Sequence, residues 1–184
     1  MSEQQLVKII RNLPQGNHTI AIDGRCAAGK STLAARLAEI LGAGVVHMDD
    51  FYLPVEMRTQ ERLAEPGGNV YRERFQEEVI PFLRQDKNFS YRKFDCKIMG
   101  LGAWQEVPAS RFTIVEGAYS CHPALGDYMS LRIFMDVEPE IQIARIRKRN
   151  GEDRVEDFRQ RWIPMEEAYF QAYEIKEQAD IVIE

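Results

Sequence analysis

The stretch Gly24–Ser31, which reads GRCAAGKS, decides the fold of this 184-residue chain. It matches G-x-x-x-x-G-K-[ST], the pattern of a loop that wraps phosphates with backbone N–H groups at the start of a helix. Gly24 and Gly29 would allow the tight turn and the close approach of the backbone to phosphate oxygens. We therefore predict a phosphate-binding loop (P-loop) whose nucleotide-binding residues are Gly24, Arg25, Cys26, Ala27, Ala28, Gly29, Lys30, Ser31 and Thr32.

Two side chains of the P-loop have predicted roles of their own. Lys30 would reach the β- and γ-phosphates of a nucleoside triphosphate, and the Ser31 hydroxyl would ligate Mg²⁺. Residues 18–23 form a β-branched, apolar run typical of a buried strand, and residues 31–41 carry apolar side chains at helical spacing. An ordinary glycine-containing turn before a helix is the alternative, but the strand–loop–helix context favours the P-loop.

Composition and charge limit the classes of function. The chain is 45% hydrophobic and 29% charged, which suits one α/β domain with a substantial core. A net charge of −5 and a pI near 5.4 argue against a general nucleic-acid binder, and no apolar run approaches the roughly 20 residues that span a membrane. The N-terminus lacks the regions of a signal peptide, and Cys26, Cys96 and Cys121 are dispersed as reduced thiols would be. We therefore expect a cytoplasmic protein.

The apolar periodicity predicts alternating strands and helices, and hence a parallel sheet covered on both faces. The predicted strands are residues 18–23, 43–50, 111–115, 131–136 and 179–183. The predicted helices are residues 5–12, 31–41, 71–84, 138–150 and 154–178, with Pro81 and Pro164 expected to bend or end theirs. Residues 58–68 are predicted to be a loop, and residues 88–108 a projecting β-hairpin around Gly100 and Gly102.

Five features follow one another in an informative order. They are the P-loop, Asp49-Asp50-Phe51-Tyr52, the hairpin segment Tyr91–Asp95, Ile114-Val115-Glu116-Gly117 and an arginine-rich helix. With these motifs in this order, the chain resembles the uridine kinase-like family of P-loop kinases, from about Thr19 onward. That group also contains kinases resembling phosphoribulokinase, pantothenate kinase and nicotinamide riboside kinase. The resemblance implies a single P-loop kinase domain over residues 1–184, built as a P-loop NTPase three-layer α/β sandwich with a five-stranded parallel sheet, a hairpin and a lid at about residues 145–157.

The resemblance also implies ATP and Mg²⁺ as cofactors and a hydroxyl group as the acceptor of the γ-phosphoryl group. Asp49 matches the family's catalytic carboxylate, and Glu116 matches an acidic residue beside the magnesium. Tyr52 matches an aromatic residue beside the acceptor. Phe94 and Asp95 match hairpin positions near a nucleoside acceptor.

Two arginines of the predicted fourth helix match lid-helix arginines that reach the phosphates in the family. They are Arg145 and Arg149, which are four residues apart and so share one helix face. A pair of guanidinium groups facing the cleft would neutralise charge on the transferred phosphoryl group. A basic helix C-terminus that merely complements the helix dipole is the alternative.

The chemistry of phosphoryl transfer supports the carboxylate roles independently. The reaction needs positioning, charge neutralisation and a group that receives the proton of the acceptor hydroxyl. Asp49 lies at the end of a predicted strand, where ligands of open α/β sheets bind, which makes it the predicted general base rather than a turn or capping residue. Glu116 ends another strand and would hold Mg²⁺ through water, with a solvated strand-end acid as its alternative. Asp50 is expected to be structural. The predicted catalytic residues are Lys30, Asp49, Arg145 and Arg149.

Aromatic side chains are predicted to line the acceptor pocket, with core packing as the alternative for each. The predicted acceptor-binding residues are Tyr52, Tyr71, Tyr91, Phe94 and Asp95. The chain departs from the family after Gly67-Gly68-Asn69-Val70, where Tyr71 and Arg72 stand in place of an aspartate that binds sugar hydroxyls. This departure motivates the hypothesis that the acceptor is an alcohol other than a nucleoside.

Together these features predict an ATP- and Mg²⁺-dependent small-molecule kinase, most simply one that phosphorylates the 5′-hydroxyl of a nucleoside. A kinase of another alcohol, such as nicotinamide riboside, pantothenate or a sugar, is the first alternative. A nucleotide-dependent switch or accessory ATPase is the second, and the hairpin, Asp49 and the lid arginines argue against it. The expected partner is a small-molecule hydroxyl acceptor, with no nucleic acid and no membrane; a homo-oligomer is left open.

Overall fold

The computed structural model describes residues 1–184, which form seven strands. These are β1 His18–Gly24, β2 Gly44–His47, β3 Phe89–Asp95, β4 Gly100–Val107, β5 Phe112–Glu116, β6 Leu131–Met135 and β7 Ile181–Ile183. Five of them form a parallel sheet in the order β2-β5-β1-β6-β7, and β3 and β4 form a separate antiparallel hairpin. Ile20 of β1 lies between Ile114 of β5 and Leu131 of β6. The predicted five-stranded parallel sheet with its projecting hairpin is confirmed.

Helices cover both faces of the sheet. They are α1 Glu3–Arg11, α2 Lys30–Leu41, α3 Gln60–Ala64, α4 Arg72–Glu78, α5 Pro139–Asn150, α6 Glu152–Asp157 and α7 Ile163–Ala172. On one face, Leu6 and Ile10 of α1 and Leu37 of α2 are fully buried in one apolar cluster. A second cluster on the other face includes Phe75 of α4 and Tyr169 of α7. Burial of apolar surface on both faces gives the predicted three layers.

The P-loop is fixed where β1 ends, because its backbone lies against β6. Gly24 has a φ of +125°, and a Cβ atom built on it would lie 2.1 Å from the Met135 carbonyl oxygen. Gly29 has a φ of +107° and directly precedes α2. The sequence therefore needs glycine at both positions for conformational reasons, and at Gly24 for space as well.

Two predicted boundaries at the site are corrected. The second strand ends at His47 rather than at residue 50, and Asp49 lies on the 3₁₀ turn Met48–Phe51. The predicted loop 58–68 contains α3, because the Thr59 side chain caps the helix by accepting from the backbone N–H of Arg62 at 3.2 Å.

The hairpin and the long C-terminal helix also differ from their predictions. Gly100 and Gly102 lie within β4 rather than in the turn, where Met99 has a φ of +52° instead. The predicted helix 154–178 starts earlier, ends at Ala172 and contains the wider π turn Phe158–Trp162. This wider turn directly precedes the segment containing Pro164, which has no N–H to donate to the preceding turn. None of the helices combines the length and the apolar character that crossing a membrane requires.

Candidate active site

A cavity of about 1110 Å³ opens at the carboxyl ends of the parallel strands. The P-loop and the start of α2 supply residues 26–33 of its lining, and Asp49 and Glu116 come from the ends of β2 and β5. Arg145 and Arg149 reach the same cavity from α5. The structure thus brings together the predicted phosphate-binding loop, the predicted base, the predicted metal residues and the predicted arginines.

Lys30 is held by the P-loop itself. Its side chain is buried, and Nζ donates to the carbonyl oxygens of Gly24 at 2.7 Å and Arg25 at 2.8 Å. These contacts keep a cation inside the loop, in reach of any anion that the loop binds. The Arg25 side chain instead donates from Nε to Asp136 Oδ1 at 2.6 Å, and Arg25 lines a second, smaller cavity rather than this one.

The two residues predicted to serve the metal are in direct contact. Ser31 Oγ donates to Glu116 Oε2 at 3.1 Å, and Glu116 Oε1 pairs with His47 Nδ1 at 2.5 Å. The hydrogen bond to Glu116 raises the pKa of His47 above its ordinary value. The sequence indicates only a structural role for His47, and His47 bonds to the Glu116 oxygen that Ser31 does not contact.

This pair of oxygen ligands fits Mg²⁺, which proteins bind through one or two carboxylates together with substrate phosphates and waters. No group of three or more histidine, cysteine and acidic side chains is arranged to hold a metal by itself. A magnesium ion held by Ser31 and Glu116 would therefore depend on the nucleotide for its remaining ligands.

Asp49, the predicted general base, lines the cavity. Its carboxylate opens onto the cavity, and the Tyr52 hydroxyl donates to Oδ1 at 3.3 Å. The protein around the cavity limits hydration of the carboxylate, which raises its pKa above the ordinary value, and the negative charge of Glu116 adds to this. A raised pKa brings a carboxylate closer to the range in which it exchanges protons effectively near neutral pH.

Asp50 has the structural position that the sequence predicted. The Tyr91 hydroxyl donates to Asp50 Oδ2 at 2.8 Å and accepts from the backbone N–H of His47 at 3.3 Å. Tyr91 is completely buried in the core, so this bond ties the hairpin to the end of β2.

The predicted arginines differ in their contacts. Arg145 Nη1 donates to the carbonyl oxygens of Ala27 at 3.1 Å and Ala28 at 3.2 Å, which places its charge on the P-loop. The guanidinium of Arg149 lies over the Phe158 ring at 5.9 Å, and its Nε bonds to Asn150. Arg145 therefore lies at the P-loop end of the cavity, and Arg149 lies in its lining beside α6.

Of the residues predicted to bind the acceptor, only Tyr52 lines the cavity. Phe94 is buried with its ring 6.4 Å from that of Tyr52, and the Asp95 side chain accepts from the backbone N–H of Lys97 in the hairpin turn. Tyr71 precedes α4, and Tyr91 lies in the core. The structure therefore places Tyr71, Tyr91, Phe94 and Asp95 outside the cavity lining.

Sequence reasoning missed a buried carboxylate behind the P-loop. Asp23 is fully buried and accepts hydrogen bonds from the backbone N–H of Tyr119 at 3.2 Å and of Cys121 at 2.9 Å, and from the Tyr169 hydroxyl at 2.8 Å. Burial raises its pKa. Asp23 thus joins the end of β1 to the loop after β5 and to α7.

Several polar residues of the cavity lining were also missed, and three of them matter below. Glu166 of α7 is buried, and its Oε2 accepts from the backbone N–H of Cys26 at 2.9 Å. Arg58 and Asn69 line the cavity from the segment between Tyr52 and α4. No local motif marks these residues, since tertiary packing alone brings them to the cavity.

The cysteine of the P-loop, Cys26, has an unreactive thiol. Burial, with the nearby charge of Glu166, raises the pKa of the Cys26 thiol to about 12. The reactive species of a cysteine is the thiolate, so this thiol is protonated and unreactive at neutral pH.

The chain matches no protein-family model and no curated protein. Among solved structures, it is similar to a candidate fructose transport system kinase from Silicibacter sp. TM1040, with a TM-score of 0.77 and 23% identity over all of both chains. It is also similar to a possible uridine kinase from Bacillus stearothermophilus, with a TM-score of 0.71 and 20% identity over 99% of this chain and 97% of that one. At this identity the likeness concerns the fold: the chain has the α/β P-loop NTPase fold that these structures share.

Proposed function

We propose that this protein is a kinase that transfers the γ-phosphoryl group of Mg²⁺–ATP to a hydroxyl group of a small molecule. One observation carries the proposal: the P-loop and the Asp49 carboxylate line the same cavity, with Ser31 and Glu116 in contact there. A nucleotide-binding site alone needs a P-loop and a metal site. The additional carboxylate, accessible and with a raised pKa, suits a reaction in which an acceptor loses a proton.

The residues of the chain have separate roles in this reaction. Lys30 and Arg145, now bonded to P-loop carbonyl oxygens, provide the positive charge that phosphate oxygens would attract. Bound Mg²⁺, held by Ser31 and Glu116, would neutralise charge on the phosphates. Asp49 would accept the proton as the acceptor oxygen bonds to the γ-phosphorus and the bond to the β,γ-bridging oxygen breaks, leaving ADP.

The cavity is large enough for both a nucleotide tail and a small acceptor, since small-molecule sites typically measure about 300–1,000 Å³. A second cavity of about 380 Å³ shares Ala28 and Arg145 with it and lies against the ends of β6 and β7. We assign the second cavity to the nucleoside part of ATP. The acceptor then occupies the part of the main cavity near Asp49 and Tyr52.

A nucleoside 5′-hydroxyl is the first acceptor to test, because the motifs resemble uridine kinase-like enzymes. The departure at Tyr71 keeps other alcohols in the same panel. The test measures ADP release from Mg²⁺–ATP with uridine, cytidine, nicotinamide riboside, pantothenate, D-ribose and D-fructose. Acceptor-dependent ADP release that Lys30→Ala abolishes is the expected result. Hydrolysis that no acceptor stimulates would contradict the proposal and favour an ATPase.

A further inference from the structure

The cavity carries more positive charge than a magnesium nucleotide needs. Six of the side chains that line it are lysine or arginine, and three are carboxylates: Lys30, Arg36, Arg58, Arg145, Arg149 and Arg154 against Asp49, Glu116 and Glu166. Mg²⁺–ATP brings a net charge of about −2, against a formal excess of three positive charges in the lining, so the contacts of each cation decide which one is free for another anion.

Five of the six cations already have a hydrogen-bond or ion-pair partner, either in the P-loop or on the helices. Lys30 and Arg145 bond to P-loop carbonyl oxygens. Arg36 of α2 pairs with Glu3 at 3.3 Å. The last two lie on the α5–α6 segment, where Arg149 bonds to Asn150 and Arg154 pairs with Asp157.

Arg58 differs from these in both position and contacts. Its Nε donates to the Leu53 carbonyl oxygen at 2.8 Å, which fixes the side chain, while its two Nη atoms make no hydrogen bond or ion pair. Leu53 directly follows Tyr52, the residue whose hydroxyl bonds to Asp49. Arg58 therefore presents the free end of its guanidinium on the acceptor side of the cavity.

Asn69 is linked to Arg58 through Leu53, because both residues hydrogen-bond to the Leu53 backbone. Its carbonyl oxygen accepts from the Leu53 N–H at 3.0 Å, and its side chain, only 7% exposed, also lines the cavity. The side-chain Oδ1 is buried without a hydrogen-bond partner, and because an amide oxygen only accepts, it would suit a hydroxyl of the acceptor.

A second arginine holds the Asn69 segment in place. Arg62 donates to the carbonyl oxygens of the residues on either side, Gly68 and Val70, both at 3.0 Å. Its two Nη atoms also bond to the Glu73 carboxylate at 2.8 and 3.0 Å. Gly68 is required here, because a Cβ atom would lie 1.7 Å from the Arg62 carbonyl oxygen. Arg62 is thus a positioning residue for Asn69.

We propose that Arg58 binds an anionic group of the acceptor, a carboxylate or a phosphate, while Asp49 faces the hydroxyl that is phosphorylated. The inference rests on the proposed function and narrows its acceptor to an alcohol that carries a negative charge. A guanidinium with two free Nη atoms is suited to the paired oxygens of either anion.

The test compares acceptors in pairs that differ in charge. Pantothenate with panthenol and D-glycerate with glycerol test a carboxylate, and D-fructose 6-phosphate with D-fructose tests a phosphate. For the wild type, kcat/KM should be at least about tenfold higher for the anionic member of one pair. Arg58→Gln should lower that ratio by on the order of 10- to 100-fold while leaving the neutral member and the KM for ATP unchanged.

Three variants control for loss of structure. Asn69→Asp keeps the size of the side chain but adds a negative charge beside Arg58, and should lower the same ratio. Arg58→Lys keeps the charge without the paired donors, and should lie between wild type and Arg58→Gln. Arg159→Gln removes an equal charge outside the cavity and should leave the ratio unchanged. A wild type that prefers the neutral members, or an Arg58→Gln variant that keeps the anionic preference, would overturn the inference.

Binding separates this inference from the kinase proposal. Calorimetric titration of the anionic members in the presence of Mg²⁺–ADP should show binding that Arg58→Gln weakens by a similar factor. Such binding without turnover would support the anion site and contradict the kinase. Turnover that Arg58→Gln does not affect would support the kinase and contradict the anion site. The absence of both binding and turnover would contradict both proposals.

Discussion

The Glu166 carboxylate of α7 lies on the P-loop, where its Oε2 accepts from the backbone N–H of Cys26 at 2.9 Å. The side chain is buried, and loss of hydration raises its pKa above the ordinary value. A negative charge therefore lies beside the loop that would bind phosphates, and it would oppose nucleotide binding in a poorly hydrated site.

Replacing Glu166 with glutamine should strengthen nucleotide binding, because the charge is removed while an oxygen remains to accept from Cys26. We expect the dissociation constant of Mg²⁺–ATP at pH 8 to fall by about tenfold, measured by calorimetric titration. The wild type should approach the variant as the pH falls, since protonation of Glu166 also removes the charge.

The matched control is Glu177→Gln. Glu177 is exposed and lines neither cavity, so this variant changes the net charge equally without changing the charge at the P-loop. Unaltered or weaker nucleotide binding by Glu166→Gln at pH 8 would contradict a repulsive role for this carboxylate.

The raised pKa of Asp49 predicts where activity falls on the acidic side of its pH profile. A base must be deprotonated, so kcat/KM for the acceptor should fall as the pH drops through the pKa of Asp49, which lies above the ordinary aspartate value of 3.8. The Tyr52 hydroxyl bonds to the carboxylate and lowers this pKa. Tyr52→Phe should therefore move the limb to higher pH. A limb that stays in place or moves to lower pH would show that Asp49 does not control it.

Gly24 should tolerate no side chain. Gly24→Ala combines an unfavourable φ of +125° with a Cβ atom 2.1 Å from the Met135 carbonyl oxygen. Gly16 has a similar φ of +121°, but a Cβ atom there would have no other atom within 4 Å, so Gly16→Ala isolates the conformational effect. We expect Gly16→Ala to lower the free energy of unfolding by about 1–2 kcal/mol and Gly24→Ala by about 1–3 kcal/mol more, measured by urea unfolding. Equal losses would show that the backbone relaxes away from β6.

The sequence predicted the parts of the site that local rules determine. The P-loop needs a fixed spacing of glycine, lysine and serine between a strand and a helix, and that spacing is visible in residues 24–31. Asp49 and Glu116 could be placed because the carboxyl ends of parallel strands share one edge of a sheet. The contact between Ser31 and Glu116 follows from these two rules together.

Most of the residues predicted to bind the acceptor lie outside the cavity lining, for physical reasons. The pairing of β3 with β4 shifts between Arg92 and Phe94, which puts Tyr91 and Phe94 both on the buried side although they are three residues apart. Simple alternation along a strand cannot reveal such a bulge. Arg58 and Glu166 lie in helical or turn segments whose positions depend on packing against the rest of the fold, so no local pattern marks them.

The most direct test of the proposed phosphoryl transfer follows the γ-phosphate label of ATP in wild type and Asp49→Asn with the full acceptor panel. The wild type should transfer label to at least one alcohol, and Asp49→Asn should do so about 100-fold more slowly or less while binding Mg²⁺–ATP within about twofold of wild type. Label released only as inorganic phosphate, at the same rate in both proteins, would contradict the account.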